Sequence, residues 1–202
     1  MKVLVACEFS GIVREAFTRK GHLAVSCDLL PTEQPGIHYQ GDVRAILDRD
    51  WDLIIAHPSC QYLCNSGSRW LWHPDDSKLP FEKRRRHPKH PNRFKEMQNA
   101  KAFFDLFLNH PCDKICIENP IPHRYTGLPR YSQLVQPHHF GETESKATCL
   151  WNKGLPPLVR THWMDKSEIK QSVHKASPGP DRWKIRSKTF QSIANVMAGT
   201  WG

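Results

Sequence analysis

The chain has 202 residues, of which 39% are hydrophobic and 10% aromatic; this suits one globular domain with a buried core and excludes a disordered or fibrous chain. Lys and Arg outnumber Asp and Glu 29 to 20, an excess that favours an anionic partner such as nucleic acid. No apolar run approaches the roughly 20 residues that cross a bilayer, so no membrane partner is expected.

The first residues, "MKVLVACEFSG", predict a strand over Lys2 to Cys7. Glu8 and Ser10 interrupt it before a signal-peptide core could form, which fits a cytoplasmic protein. Gly11 to Lys20 has helical spacing through Ile12, Ala16 and Phe17, and Gly21 stops it. "HLAVSCDLL" predicts a second strand ending at Asp28, and "GIHYQGDV" a short third ending near Asp42. Residues 43 to 49 form a short helix before a strand over Asp52 to Ala56. Strands alternating with helices indicate a doubly wound, mostly parallel α/β sheet.

From Gln61 to about Asn92 periodicity fails, and a loop of that length inside one domain is usually functional or disordered. Helix returns over Phe94 to Asn109, with an apolar face of Met97, Ala100, Phe103, Phe104 and Phe107. "DKICIENP" is a buried strand stopped by Pro120. "QLVQPHHFG" and "KATCLWNKG" predict a closing pair of strands, antiparallel, and after a proline-rich connection "SKTFQSIANVMAGTWG" predicts a terminal helix through Phe190, Ile193, Ala194 and Met197. The chain thus reads as a single domain over 1–202, with a basic insertion at about 61–93 and a short connection at about 152–181.

Charge is concentrated. The segment "EKRRRHPKHPNRFK" holds seven Lys or Arg against one Glu, and "RWKIRSK" forms a second basic cluster. By charge alone either could be a solvated surface. Their aromatic neighbours Trp70, Trp72, Phe81, Phe94 and Trp183 favour a phosphate-binding surface, since rings beside cations suit unstacked bases. Arg69, Arg84, Arg85, Arg86, Lys89, Arg182 and Lys184 are the expected DNA contacts. Seven cysteines is an odd number, and Cys7, Cys27, Cys116 and Cys149 lie in apolar stretches, as reduced buried thiols do.

The stretch "WDLIIAHPSCQ" delivers Cys60 to the C-terminal end of a buried strand, the edge of an open α/β sheet where ligands collect. Cys60 could be a nucleophile, a metal ligand or a small buried side chain. The other strand ends supply Phe9-Ser10-Gly11, Asp28, Gly41-Asp42-Val43 and Glu118-Asn119-Pro120. A glycine after the first strand admits a ligand to the backbone, and an acid ending the second can accept both ribose hydroxyls. Asp28 and Asp42 are also compatible with helix caps or turns. Cys60-x3-Cys64 with His57, His73, His87, His90 or His110 could build a zinc site. No paired Cys-x2-Cys accompanies it, so no metal is assigned and Cys64 is expected to be an inert neighbour.

In order and spacing the set resembles the DNA cytosine-5 methyltransferases, in the short versions found in phage-type genomes. The resemblance covers roughly residues 3 to 151 and the terminal helix from Ser187. It implies a Rossmann-like, doubly wound sheet of the S-adenosylmethionine-dependent methyltransferase type, with S-adenosyl-L-methionine as cofactor and DNA as partner. Cys60 falls on the family's nucleophile, and Glu118-Asn119 on its base-binding acid and neighbour. Phe9, Asp28 and Asp42 fall on positions holding the cofactor by ring stacking, ribose hydroxyls and adenine amine. Ser10, Gly11, Val43 and Pro58 complete the expected cofactor set. Lys146 lies near the family's Gln-x-Arg-x-Arg element but replaces its arginines, and is taken as catalytic. Cys7 stands where an acid is frequent, Ser59 replaces a proline, Pro120 replaces valine, and Gly11-Ile12-Val13 replaces a glycine-richer turn. Host cytoplasm is implied if the chain is phage-encoded, and nothing in the sequence calls for an obligate protein partner.

The elementary chemistry agrees. Cytosine C5 becomes nucleophilic once a thiolate adds at C6, which Cys60 can do. A carboxyl at Glu118, with its pKa raised by partial desolvation, would stabilise the charge at N3, and the base must leave the helix stack. Two other functions remain compatible with these residues: a C5-modifying enzyme acting on free cytosine nucleotides, and a catalytically idle DNA-binding protein on the same fold.

Overall fold

The computed structural model describes Met1–Gly202 apart from the side chain of His174. Seven strands form one sheet: β1 (Lys2–Ala6), β2 (Leu23–Asp28), β3 (His38–Gln40), β4 (Leu53–Ala56), β5 (Ile115–Pro120), β6 (Gln133–Val135) and β7 (Thr148–Lys153). Their order is β3-β2-β1-β4-β5-β7-β6. The pairs from β3 to β5 are parallel, while β7 runs antiparallel to both β5 and β6. This is the expected Rossmann-like sheet with a reversed strand near one edge.

The helices are α1 (Ile12–Thr18), α2 (Arg44–Leu47), α3 (Arg93–Leu108), α4 (Ser172–Lys175), α5 (Arg182–Ser187) and α6 (Gln191–Trp201). Both sheet faces are covered, which is why β1 and β4 are continuously apolar. Val3 and Val5 pack with Phe17 of α1 and Ile193, Met197 and Trp201 of α6. Leu4 and Ala6 face the other way, onto Ile46 of α2 and Phe104 and Phe107 of α3. Phe104 and Phe107 are both fully buried, each contributing about 1.5–3 kcal/mol of burial free energy. Among the described residues no helix is long and apolar enough to cross a membrane.

Two segments differ from expectation. "QLVQPHHFG" is strand only to Val135, because Pro137 lacks the N–H that a ladder requires and opens a 3₁₀ turn over Pro137–Phe140. The C-terminal segment is two helices: Lys188 is extended and Phe190 caps α6. The irregular 61–92 region is ordered by 3₁₀ turns at Asn65–Trp70, Pro74–Asp76 and Phe81–Lys83 and by a bridge between Trp72 and Arg86.

The chain leaves central strand β1 for β2 on one side and later returns to β4 on the other. The crevice between their C-terminal ends is therefore the switch point where α/β folds bind ligands.

Candidate functional site at the C-terminal edge of the sheet

The parallel register pairs Ala56 with Ile117, so the next residues of β4 and β5, His57 and Glu118, come side by side. His57 Nδ1 donates to Glu118 Oε2 at 3.0 Å, with both side chains less than a tenth exposed. Burial pushes the Glu118 carboxyl up, but the His57 hydrogen bond, the Lys146 and His57 charges and the Thr148 hydroxyl outweigh it. The net pKa lies below the ordinary glutamate value. The expected rise by desolvation is thus overturned: the partners at this strand end favour the carboxylate more than burial opposes it. His57, missed as a site residue and considered only for zinc, was marked in sequence by being the first polar residue after the β4 apolar run.

Pro58 is buried, Ser59 exposed and Cys60 partly buried. The Cys60 carbonyl accepts the N–H groups of Leu63 and Cys64, both at 3.0 Å, closing a helical turn. That turn is locked to the segment after β5 by Asn65 N–H to Ile121 O at 2.9 Å and His123 N–H to Leu63 O at 3.0 Å. The Cys60 and Cys64 thiols share a hydrogen bond. That bond, burial, and the charges of Cys64 and Glu118 raise the Cys60 thiol, while Lys146 pulls it down. Cys64 is the acidic partner, drawn to about 5 chiefly by the Cys60 hydrogen bond; burial opposes this, and the Ser66 hydroxyl and the Gly67 and Ser66 N–H groups assist. Cys64 is therefore set beside Cys60, where the two thiols act on each other. The four-residue spacing, one helical turn, carried that information.

Asn119 is fully buried, and its Oδ1 has no partner among the described residues. Lys146 is 9% exposed and donates from Nζ to the Lys188 carbonyl at 2.9 Å, tying the end of α5 to the site.

On the β1 side, Gly11 has φ 73°, and a Cβ there would lie 2.7 Å from the Arg14 guanidinium. Its glycine is thus required by local packing. The Ser10 hydroxyl donates to Glu8 (3.2 Å), and the Glu8 carboxylate accepts from the N–H groups of Val13 (2.6 Å) and Arg14 (3.2 Å). A protein carboxylate therefore fills the N-terminus of α1, where a pyrophosphate would otherwise sit. The Phe9 ring is 7% exposed and meets the Trp183 ring of α5 at 6.1 Å between centroids. Asp28 accepts from the Leu30 N–H at 3.0 Å through one oxygen; the other has no hydrogen-bond partner among the described residues. Asp42 holds Arg44 through its backbone N–H (3.0 Å) and its guanidinium (2.8 Å), and Val43 is buried.

The basic residues divide by role. Arg85 is committed to buried Asp76 at 2.7 Å, and Arg86 lies 3.4 Å over the Phe94 ring centroid. Arg84 donates to the carbonyls of Leu79 and Ser77, and Arg182 to that of Ala176. Lys184 pairs with Asp181 at 3.5 Å. Arg69, 4.7 Å over Trp70, and Lys89 are exposed. Among the described residues no group of three His, Cys, Asp or Glu side chains is placed to hold a metal ion.

No protein-family model matches the chain, and no curated protein does. Among solved structures it is similar to a protein of E. coli, encoded within a prophage and named as a DNA modification methyltransferase. That match has 13% identity over 74% of this chain and 45% of the other, with a TM-score of 0.42. It is also similar to the Entamoeba histolytica methyltransferase EhMeth, with 12% identity over 89% of this chain and 60% of the other, at a TM-score of 0.46. The chain spans about half of the length of these proteins.

Proposed function

We propose that the chain transfers a methyl group from S-adenosyl-L-methionine to C5 of cytosine in DNA, through a covalent adduct between Cys60 and C6 of a flipped-out base. The observation that carries this reading is the convergence of Cys60 after β4, Glu118 on β5 and Lys146 just before antiparallel β7 at one edge of the sheet, close enough for Glu118 and Lys146 to act electrostatically on the thiol.

The β1 side fits the cofactor. With Glu8 closing the α1 N-terminus, the crevice suits a nucleoside that carries no phosphates. Phe9 offers a ring, Asp28 a carboxylate oxygen for ribose hydroxyls, and the Asp42-Val43 step the far wall. S-adenosyl-L-methionine, when bound, supplies an electrophilic methyl group.

On the base side, Cys60 loses its proton to solvent with the Lys146 charge favouring the thiolate, and the thiolate bonds to C6 as the C5–C6 π bond opens. Negative charge spreads to N3. The Glu118–His57 pair holds a proton that can pass to N3, and the carboxylate can accept from the exocyclic amine. Once C5 carries the methyl group, a solvent water takes the C5 proton, the C5–H electrons restore the C5–C6 double bond as Cys60 leaves with the C6–S electron pair, and N3 returns its proton to the Glu118–His57 pair. Asn119 Oδ1, buried and unpartnered, is available to orient the base.

The test is nuclease digestion and mass measurement of the nucleosides after DNA is incubated with protein and methyl donor. Deoxycytidine heavier by one CH2 supports the reading; unmodified deoxycytidine overturns it. A duplex carrying 5-fluorocytosine should trap the protein covalently, since fluorine cannot leave as a proton does.

A further inference from the structure

The insertion between β4 and α3 contains a cavity of about 340 Å³ that the proposed chemistry leaves unused. Trp70, Trp72 and Tyr125 supply rings to its lining, Arg69 and Arg84 supply cations, and no carboxylate lines it. The Arg84 guanidinium is held in place by its bonds to the Leu79 carbonyl (2.8 Å) and the Ser77 carbonyl (3.0 Å). These bonds are to neutral groups, so its charge stays uncompensated. Arg69 lies over Trp70 rather than against an acid. Planar rings and fixed cations together match a ligand with an aromatic ring and an anion.

The cavity also adjoins the site. One wall comes from the 3₁₀ turn Asn65–Trp70, which Cys64 caps; Tyr125 comes from the segment after β5 that is hydrogen-bonded to the Cys60–Cys64 turn.

We propose that this cavity receives an unpaired nucleotide of the DNA strand, its base against the Trp70, Trp72 and Tyr125 rings and its phosphate at Arg69 and Arg84. The proposal rests on DNA being the partner, and it gives the protein a second nucleotide pocket beside the target base. It implies a substrate strand opened at more than one position, with higher affinity for unpaired than for fully paired DNA.

Ser77 lines the cavity with an exposed side chain, so Ser77→Trp would plug it. Binding is measured by fluorescence anisotropy without methyl donor, using a single-stranded cytosine-containing oligonucleotide and its duplex. The plug should weaken single-strand binding about tenfold or more, the scale of one base–aromatic stack, and leave duplex binding within about twofold. Equal single-strand affinity in a variant with unchanged Tm overturns the proposal. If Ser77→Trp does not fold, photo-crosslinking of the unmutated protein to a 5-bromodeoxyuridine oligonucleotide decides. Adducts at Trp70, Trp72 or Tyr125 support the proposal, and adducts only elsewhere overturn it. Free deoxycytidine monophosphate competing as well as the oligonucleotide would also overturn it, by making the cavity a mononucleotide site. Because binding is read without the donor, methylation can fail while the cavity binds, and the cavity can fail while deoxycytidine is methylated.

Discussion

The Cys64 backbone N–H donates to the Cys60 carbonyl at 3.0 Å, and that single helical turn sets the two thiols where each acts on the other's ionisation. Cys64 is the more acidic sulfur chiefly because the Cys60 thiol donates to it, with the Ser66 hydroxyl and the Gly67 and Ser66 N–H groups assisting, so Cys60 keeps its proton. Iodoacetamide labelling mapped by mass spectrometry should show Cys64 reacting at lower pH than an ordinary free thiol and Cys60 only at high pH. In Cys64→Ser the Cys60 midpoint should fall, because the hydrogen bond that raises it is weakened. An unchanged Cys60 profile would show that the thiols titrate independently.

Cys60→Ser should abolish methyl transfer while leaving affinity for the methyl donor nearly unchanged, since the thiolate acts on the base. Full turnover in the serine variant would remove the covalent mechanism.

His57→Ala leaves the Glu118 carboxylate buried without its main partner and should destabilise the fold by about 3–5 kcal/mol at neutral pH. The folded Glu118 pKa lies below the unfolded one, so its contribution is complete above about pH 4.3 and is lost as the pH falls through the lower folded value. In His57→Ala, where burial still pushes the carboxyl up, that acid-side dependence should flatten. Urea unfolding between about pH 3 and 6 measures it; parallel curves for the two proteins would mean that the hydrogen bond does not set the Glu118 pKa.

Asp28→Asn keeps an oxygen for the Leu30 N–H but removes the charge. It should weaken binding of S-adenosyl-L-methionine by about 1–3 kcal/mol in calorimetry, with little change in Tm. Unchanged affinity would reduce Asp28 to a turn residue.

The three consecutive arginines at 84–86 brace the insertion, so their removal would mix folding with binding. Arg69→Ala with Lys89→Ala is the cleaner test: DNA affinity should fall for all sequences alike, and the slope of log affinity against log salt should flatten by about two units. A sharp change in sequence preference would mean that one of the pair reads bases. Separately, Arg85 holds the Asp76 carboxyl down at about 2. The stability this pair lends the insertion is full above the unfolded aspartate value of about 3.9 and lost as the pH falls toward 2. Proteolysis within the insertion should accelerate across that window in the unmutated protein but not in Asp76→Asn.

The sequence by itself determined the elements of the sheet and the segments that reach its C-terminal edge. Period and length act locally: runs such as Val3–Ala6 and Leu53–Ala56 are apolar on both faces because helices cover both, and Gly21 and Pro120 end elements by backbone chemistry alone. It also singled out Cys60 and Glu118 and read the closing strands as antiparallel. Only the tertiary structure decided what each site residue touches. His57 meets Glu118 because β4 and β5 lie side by side in parallel register, across a separation in sequence of 61 residues. Lys146 reaches the Lys188 carbonyl across 42. The direction of the Glu118 shift was hidden for the same reason: burial is foreshadowed by an apolar run, whereas the partners that outweigh it come from other strands. The basic run at 82–95 shows the same division, since composition fixes its charge while packing decides that exposed Arg85 pairs with buried Asp76 and exposed Arg86 covers Phe94.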